Sequence, residues 1–241
     1  MSTLLISDLH LRSQDPEVTA GFYRFLETRA STAERLFILG DFFDYWIGDD
    51  DDEPLAQEVC VQLRALSDSG VDIAIMHGNR DFLLGEDFAR RAGARLIEDP
   101  SVIDLYGRKT LLLHGDSLCT QDVTYMAMRE QFRNPQWQAQ ILAQPLPVRR
   151  ALAEQLRQQS KTMNSEKAED IMDVTPAAVE AIMTEHNVDL MIHGHTHRPE
   201  VHTLDINTQP AERMVLGDWH EHGWCICADE KKLTLESWPL N

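Results

Sequence analysis

The sequence predicts an α/β fold, a layered sandwich of mixed sheets flanked by helices, with a helical cap inserted at about 121–170. Short apolar runs alternate with helical patterns along most of the chain, and polar clusters follow the apolar runs. The segment 121–170 breaks this rhythm because its pattern is mainly helical. The length of 241 residues fits one domain, which we place at 1–241.

The N-terminal elements follow a strand–helix alternation. Residues 3–7, 36–39 and 71–76 are apolar runs of strand length. A helix is predicted to begin at Asp15-Pro16, because Asp is a frequent N-cap residue and Pro is favoured in the first helical position. A second helix is predicted from apolar residues at helical spacing, and it ends at Gly70. Those apolar residues are Leu55, Val59, Leu63 and Leu66.

The C-terminal elements are a hairpin, a helix and further strands. Residues 102–106 and 109–113 are predicted to pair around a turn at Gly107. A helix begins at Thr175-Pro176, and a buried strand covers 188–192. The alternation of apolar and polar residues from Val201 onward indicates more β-structure.

The composition disfavours several classes of function. The formal net charge of -18 repels nucleic acid phosphates, so no nucleic acid partner is expected. We expect no transmembrane helix and no secretory signal, because no apolar run is long enough and the N-terminus lacks the required pattern. The four cysteines form no Cys-x-x-Cys motif and are expected to be reduced thiols of a cytoplasmic protein. No protein partner is predicted.

Five polar clusters follow predicted strands, which is where α/β sheets usually bind ligands. Asp8 and His10 lie two residues apart after the first strand, so both side chains point to one side. His195 and His197 repeat this spacing after the strand 188–192. The other candidates are Asp41, Asn79 and His114, each after its own strand. One such cluster alone is usually structural, but the ordered set predicts a metal centre.

This set of ligands predicts hydrolysis of a phosphoester by two divalent metals. Two metals about 3.5–4 Å apart can stabilise the attacking and the leaving oxygen of a phosphoryl displacement, and a hydroxide shared between them can be the nucleophile. Asp41 is the candidate bridging ligand. Mixed carboxylate, amide and imidazole ligands suit manganese, iron or zinc more than calcium.

The clusters resemble the signature of the calcineurin-like metallophosphoesterases. The matching stretches are Asp8-Leu9-His10, Gly40-Asp41, Gly78-Asn79-Arg80-Asp81, His114 and Gly194-His195-Thr196-His197. One position departs from the signature, because Arg80 stands where many members have a general-acid histidine. Arginine brings a permanent charge and a bidentate contact for phosphate. That suits a diphosphate, whose phosphate leaving group needs no proton.

Over essentially its whole length the chain is similar to a family of bacterial hydrolases of the lipid A pathway. The stretches that carry the similarity are 6–11, 38–41, 46–50, 77–85, 114–116, 164–165, 171–174 and 193–199. The resemblance implies cleavage of UDP-2,3-diacylglucosamine to UMP and 2,3-diacylglucosamine 1-phosphate, with two manganese ions. It also implies peripheral binding at the cytoplasmic face of the inner membrane. We further expect the attack on the uridine-side phosphorus.

The same resemblance implies roles for individual residues. One metal would take Asp8, His10, Asp41 and His197, and the other would take Asp41, Asn79, His114 and His195. Substrate contacts would be Asn79, Arg80, Asp122, Ser160, Asn164, Lys167 and His195. The residues expected to act directly in catalysis are Asp41, Asn79, Arg80, His114 and His195. Asp81 and Asp116 are candidates for orienting ligands, whereas His77 and His193 are interpreted as packing residues.

The predicted cap combines apolar residues with an excess of positive charge. Its basic residues between 129 and 161 are Arg129, Arg133, Arg149, Arg150, Arg157 and Lys161, against the acids Glu130 and Glu154. Its apolar residues include Phe132, Trp137, Ile141, Leu142, Leu146, Leu152 and Leu156. Either the apolar residues pack within the fold, or some line acyl-chain pockets and a membrane-facing rim. The acidic run 49–53 is interpreted as a solvated loop.

Two other functions are alternatives. The chain could be a soluble phosphodiesterase or phosphatase of the same superfamily, against which Arg80 and the apolar, basic cap argue. It could also be a metal-free scaffold that kept the fold, against which the complete set of metal ligands argues.

Overall fold

Two β-sheets pack face to face and form the centre of the molecule. The computed structural model describes residues 2–166 and 173–240. The first sheet contains β1 (Thr3–Ile6), β2 (Arg35–Leu39), β3 (Asp72–Met76), β4 (Ala94–Ile97), β10 (His222–Ala228) and β11 (Leu233–Pro239), in the spatial order β11-β10-β1-β2-β3-β4. The second contains β5 (Ser101–Leu105), β6 (Arg108–Leu112), β7 (Leu190–His193), β8 (Glu200–Ile206) and β9 (Gln209–Val215), in the order β5-β6-β7-β9-β8.

Both sheets are mixed, with a parallel part that brings strand ends together. Strands β1 to β4 are parallel to one another. Strand β10 pairs antiparallel with β1, and β11 pairs antiparallel with β10. In the second sheet β6, β7 and β9 are parallel, and β5 and β8 pair antiparallel at the edges. The carboxyl ends of the parallel strands in each sheet therefore lie at one edge, where the predicted ligands follow them.

Helices cover the outer face of each sheet. The first sheet is covered by α1 (Pro16–Thr28), α2 (Pro54–Asp68) and α3 (Glu86–Arg91), and the second by α7 (Pro176–His186). The core between the sheets contains fully buried residues from both, such as Leu5, Phe37 and Ile192. Each such side chain stabilises the fold by about 1.5–3 kcal/mol relative to exposure. The predicted layered α/β sandwich is confirmed.

Most predicted elements are present, and the differences have local causes. The strand β4 and the helix α3 were not predicted, because they are short and only partly apolar. Asp15 is the N-cap residue of α1, but its carboxylate makes no capping hydrogen bond and lies 3.6 Å from Arg12 instead. Gly70 follows the end of α2 with φ of 107°, a conformation that favours glycine, as the sequence predicts.

Three helices occupy the segment predicted to form a cap. They are α4 (Val123–Phe132), α5 (Pro135–Leu142) and α6 (Leu146–Glu166), with proline in the first turn of α5 and α6. Asn134 caps α5 by accepting hydrogen bonds from the backbone N–H groups of Gln136 and Trp137. None of the helices in the described ranges is long and apolar enough to cross a lipid bilayer. We refer to α4, α5 and α6 together as the cap.

Residues 49–53 form the loop that the sequence predicts, with Asp50 and Asp52 63% and 78% exposed, but its carboxylates also contact other parts of the fold. Asp49 accepts hydrogen bonds from the backbone N–H groups of Gly85 and Phe88 at the start of α3, each at 2.8 Å. Asp50 forms a bidentate ion pair with Arg149 of the cap, at 2.7 and 2.5 Å. Arg150 pairs with Asp51 at 2.6 Å and also with Asp52. The ion pairs of this acidic run therefore connect the cap to a loop of the first sheet.

The basic excess of the cap is also balanced by carboxylates of the sandwich. Arg129 pairs with Asp99 and Asp116 at 3.3 and 2.9 Å, and Arg157 pairs with Asp44 at 3.0 Å. Arg133 lies farther from the carboxylates of Asp99 and Asp116, at 3.9 and 4.0 Å. The five cap arginines thus face acidic partners from the sandwich, and they do not form the open basic patch that the sequence indicated. The sixth basic residue, Lys161, is not among the described side chains.

Arg149 is expected to be the strongest of these anchors. Its side chain is only 4% exposed, and it also donates to the carbonyl groups of Ile47 and Gln144, at 2.6 and 2.8 Å. We expect Arg149→Met to lower the free energy of unfolding by about 2 kcal/mol, because buried acceptors lose a charged donor. Urea denaturation followed by circular dichroism measures this. Arg150→Gln is the control, with a much smaller loss expected at a more exposed ion pair; equal losses in both variants would contradict the prediction.

Candidate active site

The seven predicted metal ligands meet at one edge of the sandwich. Asp8, His10, Asp41 and Asn79 follow strands of the first sheet, and His114, His195 and His197 follow strands of the second. Contacts between the two sets are direct. The backbone N–H of His195 donates to Asp8 Oδ2 at 2.9 Å, His114 Nε2 lies 3.0 Å from Asn79 Oδ1, and the Nε2 atoms of His10 and His197 are 3.3 Å apart.

Two groups of ligand atoms are close enough to hold a metal. Asp8, His10 and His197 form one, and Asp8, Asp41 and His114 form the other; within each group the atoms lie within 4.8 Å of one another. The two oxygens of Asp41 face different groups, because Oδ1 is 3.6 Å from His114 Nε2 and Oδ2 is 3.9 Å from His10 Nδ1. This arrangement is suitable for a carboxylate that bridges two metals.

The backbone at the ligands is strained. Five of the predicted ligands have positive φ angles between 49° and 68°, which are uncommon for residues other than glycine. They are Asp8, His10, Asp41, His195 and His197. This left-handed region costs about 1–3 kcal/mol per residue when the residue is not glycine. Such a concentration of strain at one edge is typical of a functional site, because the turns aim consecutive ligands inward.

Two glycines allow the carboxylates to lie against the backbone. A Cβ atom on Gly78 would be 2.1 Å from Asp41 Oδ1, and one on Gly194 would be 2.1 Å from Asp8 Oδ2. No side chain can approach so closely. Glycine at these positions therefore makes room for both acidic ligands.

The electrostatics of the site favour bound cations. Asp8 Oδ1 is buried and accepts no hydrogen bond among the described residues. Burial, with the nearby charges of Asp81 and Asp8, raises the pKa of Asp41 to about 7 despite the opposing charge of His114. Burial alone would lower the pKa of His114, but the carboxylates of Asp41 and Asp8 raise it to about 9. The buried carboxylates thus need positive charge, and divalent metals fit these residues.

The histidine tautomers also suit metal binding. His114 Nδ1 lies 2.9 Å from the carbonyl oxygen of Leu39, so when a metal displaces the proton on Nε2, the N–H on Nδ1 leaves the Nε2 lone pair directed into the site. His197 Nδ1 lies 3.7 Å from Asp218 Oδ2. Burial lowers the pKa of His10 and of His195 to about 3, which keeps both rings neutral and able to bind a metal.

Carboxylates behind the ligands hold the loops in position. Asp81 accepts hydrogen bonds from the backbone N–H groups of Gly78 and Phe42, both at 2.8 Å, and so joins the loops that carry Asn79 and Asp41. Asp116 accepts from Tyr125 Oη at 2.6 Å and from Arg129 Nε at 2.9 Å. Both carboxylates were candidates from the sequence. Asp81 supports the loops that carry ligands, whereas Asp116 links the loop after His114 to α4.

The sequence interpretation missed three supporting residues. Asp218 faces His197, Asp99 accepts a hydrogen bond from the backbone N–H of His114 at 3.2 Å, and the ring of Tyr125 is 5.9 Å from that of His195. A signal for Asp218 was present, because an apolar run followed by Gly-Asp occurs both at 37–41 and at 214–218. Asp99 and Tyr125 follow no comparable pattern, since they approach the site only through the tertiary fold.

The predicted substrate contacts are placed only in part. Asn79, Arg80, Asp122 and His195 all line the pocket above the ligands. Asp122 also caps α4 by accepting a hydrogen bond from the backbone N–H of Tyr125 at 3.0 Å. Ser160 and Asn164 belong to α6, but their side chains are not among those described. Lys167 lies outside the described residues.

The site has two connected spaces. The metal pocket lies over the ligands and is lined mainly by polar groups, including His10, Arg12, Asp41, His195, His197, Arg198 and His220. The cap cavity lies between the cap and the loops after β2 and β3, and about 90 Å³ of it is accessible to the centre of a water molecule. Its apolar walls include Trp46, Phe82, Leu83, Met128, Phe132, Trp137, Ile141, Leu152 and Leu156. Asp44, Asn79, Arg80 and Tyr125 line both spaces.

Comparison with known proteins agrees with this geometry. Residues 1–199 match the family model of calcineurin-like phosphoesterases. The chain therefore belongs to the calcineurin-like phosphoesterase family.

Three similar proteins each bear the name UDP-2,3-diacylglucosamine hydrolase. The chain is 60% identical to the protein of Cellvibrio japonicus over 240 residues, which is 100% of both chains. It is 54% identical to the protein of Marinobacter nauticus over 241 residues, covering 100% of this chain and 99% of the relative. The protein of Chromohalobacter salexigens is 56% identical over 231 residues, with 95% and 94% coverage.

Proposed function

We propose that the chain hydrolyses the diphosphate bond of UDP-2,3-diacylglucosamine, releasing UMP and 2,3-diacylglucosamine 1-phosphate for lipid A biosynthesis. The observation that carries this proposal is the junction of an apolar cavity with a polar metal pocket. A substrate with acyl chains, a sugar and a diphosphate needs both environments next to each other. Relatives at up to 60% identity over their full length bear the name of this hydrolase.

The cap cavity has the properties needed for acyl chains. Three aromatic side chains form one wall, because the rings of Phe82 and Phe132 stack at 5.2 Å and Trp137 packs against both, at 6.0 and 5.2 Å. Of the apolar cap residues noted in the sequence, Ile141, Leu152 and Leu156 also line it. Each methylene buried there contributes about 0.8 kcal/mol, so a pair of long chains gives substantial binding free energy.

The residues shared by the two spaces are suitable for the diphosphate. Arg80 and Asn79 line both the cap cavity and the metal pocket, at the place where the sugar phosphate would leave the apolar region. Arg80 can bind phosphate oxygens with its guanidinium fork and offset charge that develops on the transferred phosphoryl group. Because the leaving group is a phosphate, no acid is needed at this position.

We assign two metals to the seven predicted ligands, with Asp41 as the shared one. Asp8, His10, Asp41 and His197 would hold one, and Asp41, Asn79, His114 and His195 would hold the other, with two manganese ions as the proposed occupants. When bound, the metals supply Lewis acidity for the phosphoryl oxygens and lower the pKa of a water molecule. The strained turns and the supporting carboxylates keep the ligands converged, and Arg80 holds the diphosphate above them.

A substrate with two acyl chains resides in a lipid bilayer, so the enzyme must meet a membrane surface. We propose peripheral contact with the cytoplasmic face of the inner membrane through the cap. Exposed apolar side chains on the cap support this proposal, namely Val123, Leu142 and Val148, which are 75%, 40% and 50% exposed. Such residues can insert at the boundary of headgroups and acyl chains.

The test of the function is phosphorus NMR of UDP-2,3-diacylglucosamine with the purified protein and manganese. We expect UMP and a sugar 1-phosphate to appear, and a chelator to prevent this. In ¹⁸O-labelled water the label should enter UMP, because attack occurs at the uridine-side phosphorus. An unchanged diphosphate in the presence of bound metal would refute the substrate, and label in the sugar phosphate would refute the direction of attack.

A second test concerns the cap cavity, because only a substrate with long acyl chains would fill it. We expect Leu152→Glu to lower kcat/KM at least about 30-fold for a substrate with long acyl chains, since a carboxylate would be buried beside them. The same variant should lower it little for an analogue with two acetyl groups. Gln155→Glu is the matched control, because Gln155 is on the same helix but exposed, and it does not line the cavity. Equal losses on both substrates would contradict an acyl site in this cavity.

A further inference from the structure

The metal pocket extends beyond the metal ligands, away from the cap cavity. Arg12, Arg198 and His220 line this extension, and none of them lines the cap cavity. Arg12 comes two residues after His10 and Arg198 directly follows His197. Since the Nε2 atoms of these two histidines are 3.3 Å apart, the arginines flank the ligand cluster from the first and the second sheet. We refer to this region as the distal pocket.

Each arginine of the distal pocket is held in place yet partly open to solvent. Arg12 Nη2 is 3.6 Å from Asp15 Oδ2, and the arginine side chain is 39% exposed. Arg198 Nη1 is 2.6 Å from Asp173 Oδ2, and its side chain is 42% exposed. The two aspartates orient these guanidinium groups beside the ligand cluster, where both line the pocket and can be reached by a bound molecule. Nothing in the proposed acyl, sugar or metal contacts uses these two side chains.

We propose that the distal pocket is the subsite for the nucleoside monophosphate arm of the substrate. This inference rests on the proposed function, because it depends on a diphosphate that joins two unlike arms. The apolar cap cavity adjoins Asn79 and Arg80, so it takes the acylated sugar. With the diphosphate over the metal ligands, the other arm extends toward His10 and His197, where the walls are polar.

The residues of the distal pocket match the chemistry of a nucleoside 5′-monophosphate. Arg12 and Arg198 can donate paired hydrogen bonds to phosphate oxygens or to the carbonyl oxygens of the base. Asp15 makes no capping hydrogen bond in α1, so its carboxylate can accept from ribose hydroxyl groups. His220 is exposed and can both donate and accept, as the imide edge of uracil requires. The subsite therefore determines specificity for the nucleotide and leaves the bond cleavage to the metal ligands.

The experiment compares two substrates and measures binding of the product. The variants are Arg12→Gln and Arg198→Gln, and the control is Arg95→Gln, which removes an arginine of similar exposure from the edge strand β4. The substrates are UDP-2,3-diacylglucosamine and the same lipid diphosphate with a methyl group in place of uridine. Binding of UMP is measured by calorimetry in the presence of manganese, and the metal content of each variant is determined.

We expect each variant to raise KM for the UDP substrate about tenfold, with a similar loss of UMP affinity and an unchanged metal content. Hydrolysis of the methyl diphosphate should remain within about twofold of the wild type, as should all properties of the control. Unchanged KM and UMP affinity in both variants would overturn the subsite, and so would equal losses on both substrates. If the wild type fails to hydrolyse the UDP substrate, the proposed function is refuted instead, so the two failures are distinguishable.

Discussion

Asp41→Ala is expected to lower kcat about 1,000-fold or more, even at saturating metal. The reason is the position of the carboxylate between the two ligand groups, with Oδ1 facing His114 and Oδ2 facing His10. The same oxygen Oδ1 accepts a hydrogen bond from the backbone N–H of Arg80 at 2.8 Å, so the substitution also releases the loop that carries Arg80. If the proposed pair of metals is bound, the variant should hold at least one ion per chain fewer than the wild type.

The measurement of Asp41→Ala combines steady-state turnover with metal analysis of the dialysed protein. Thermal unfolding of the metal-free variant shows whether a loss of activity comes from the missing metal ligand or from a protein that no longer folds. Its midpoint should equal or exceed that of the metal-free wild type, because a buried carboxylate with a raised pKa is unfavourable without a cation. Asp68→Ala removes an exposed carboxylate far from the site and is the control. Turnover close to normal in metal-saturated Asp41→Ala would contradict the bridging role.

Gly194→Ala is expected to inactivate the protein without changing any ligand. The added Cβ would be 2.1 Å from Asp8 Oδ2 and 2.2 Å from Ser7 Oγ, two atoms that form a hydrogen bond of 2.5 Å. Asp8 Oδ2 also accepts from the backbone N–H of His195 at 2.9 Å, so the clash displaces a ligand and its support together. We expect a fall in turnover of about 100-fold or more, with weaker metal binding as the cause.

Titration of manganese into the metal-free protein, followed by calorimetry, measures this loss for Gly194→Ala. Gly107→Ala is the matched control, because Gly107 is in the turn between β5 and β6 and a Cβ there would have no atom within 4 Å. Its positive φ of 86° makes the substitution cost about 1–2 kcal/mol in stability, with metal affinity and turnover unchanged. Metal affinity of Gly194→Ala equal to that of Gly107→Ala would show that the close approach to Asp8 is not needed.

The sequence predicts the ligands better than the residues that support them. Asp8, His10, His195 and His197 were predictable because ligands on a turn are close in sequence and follow recognisable strands. The partners of the cap arginines were not, because Arg149 meets Asp50 across 99 positions of sequence. Local composition therefore predicts the positive charge of the cap but not the ion pairs that its arginines form. Those pairs involve carboxylates of the sandwich that only the tertiary fold brings near the cap.

The same distinction explains the missed elements. A helix as short as Glu86–Arg91 has too few positions to show a helical period, and the strand Ala94–Ile97 is only half buried. Asp49 determines where that helix begins, from a loop 36 positions earlier in the chain. A sequence pattern that uses only neighbouring residues cannot predict such a contact.

Each ligand group draws on both sheets, which has a consequence for how the molecule assembles. Asp8 and His10 need His197 from the opposite sheet, just as Asp8 and Asp41 need His114. Neither sheet alone supplies a complete ligand group, so a folding intermediate with one sheet formed would have only an incomplete site. A bound ion would act as a cross-link between the halves of the sandwich. Metal uptake would then report that the two sheets have docked, and it would oppose their separation afterwards.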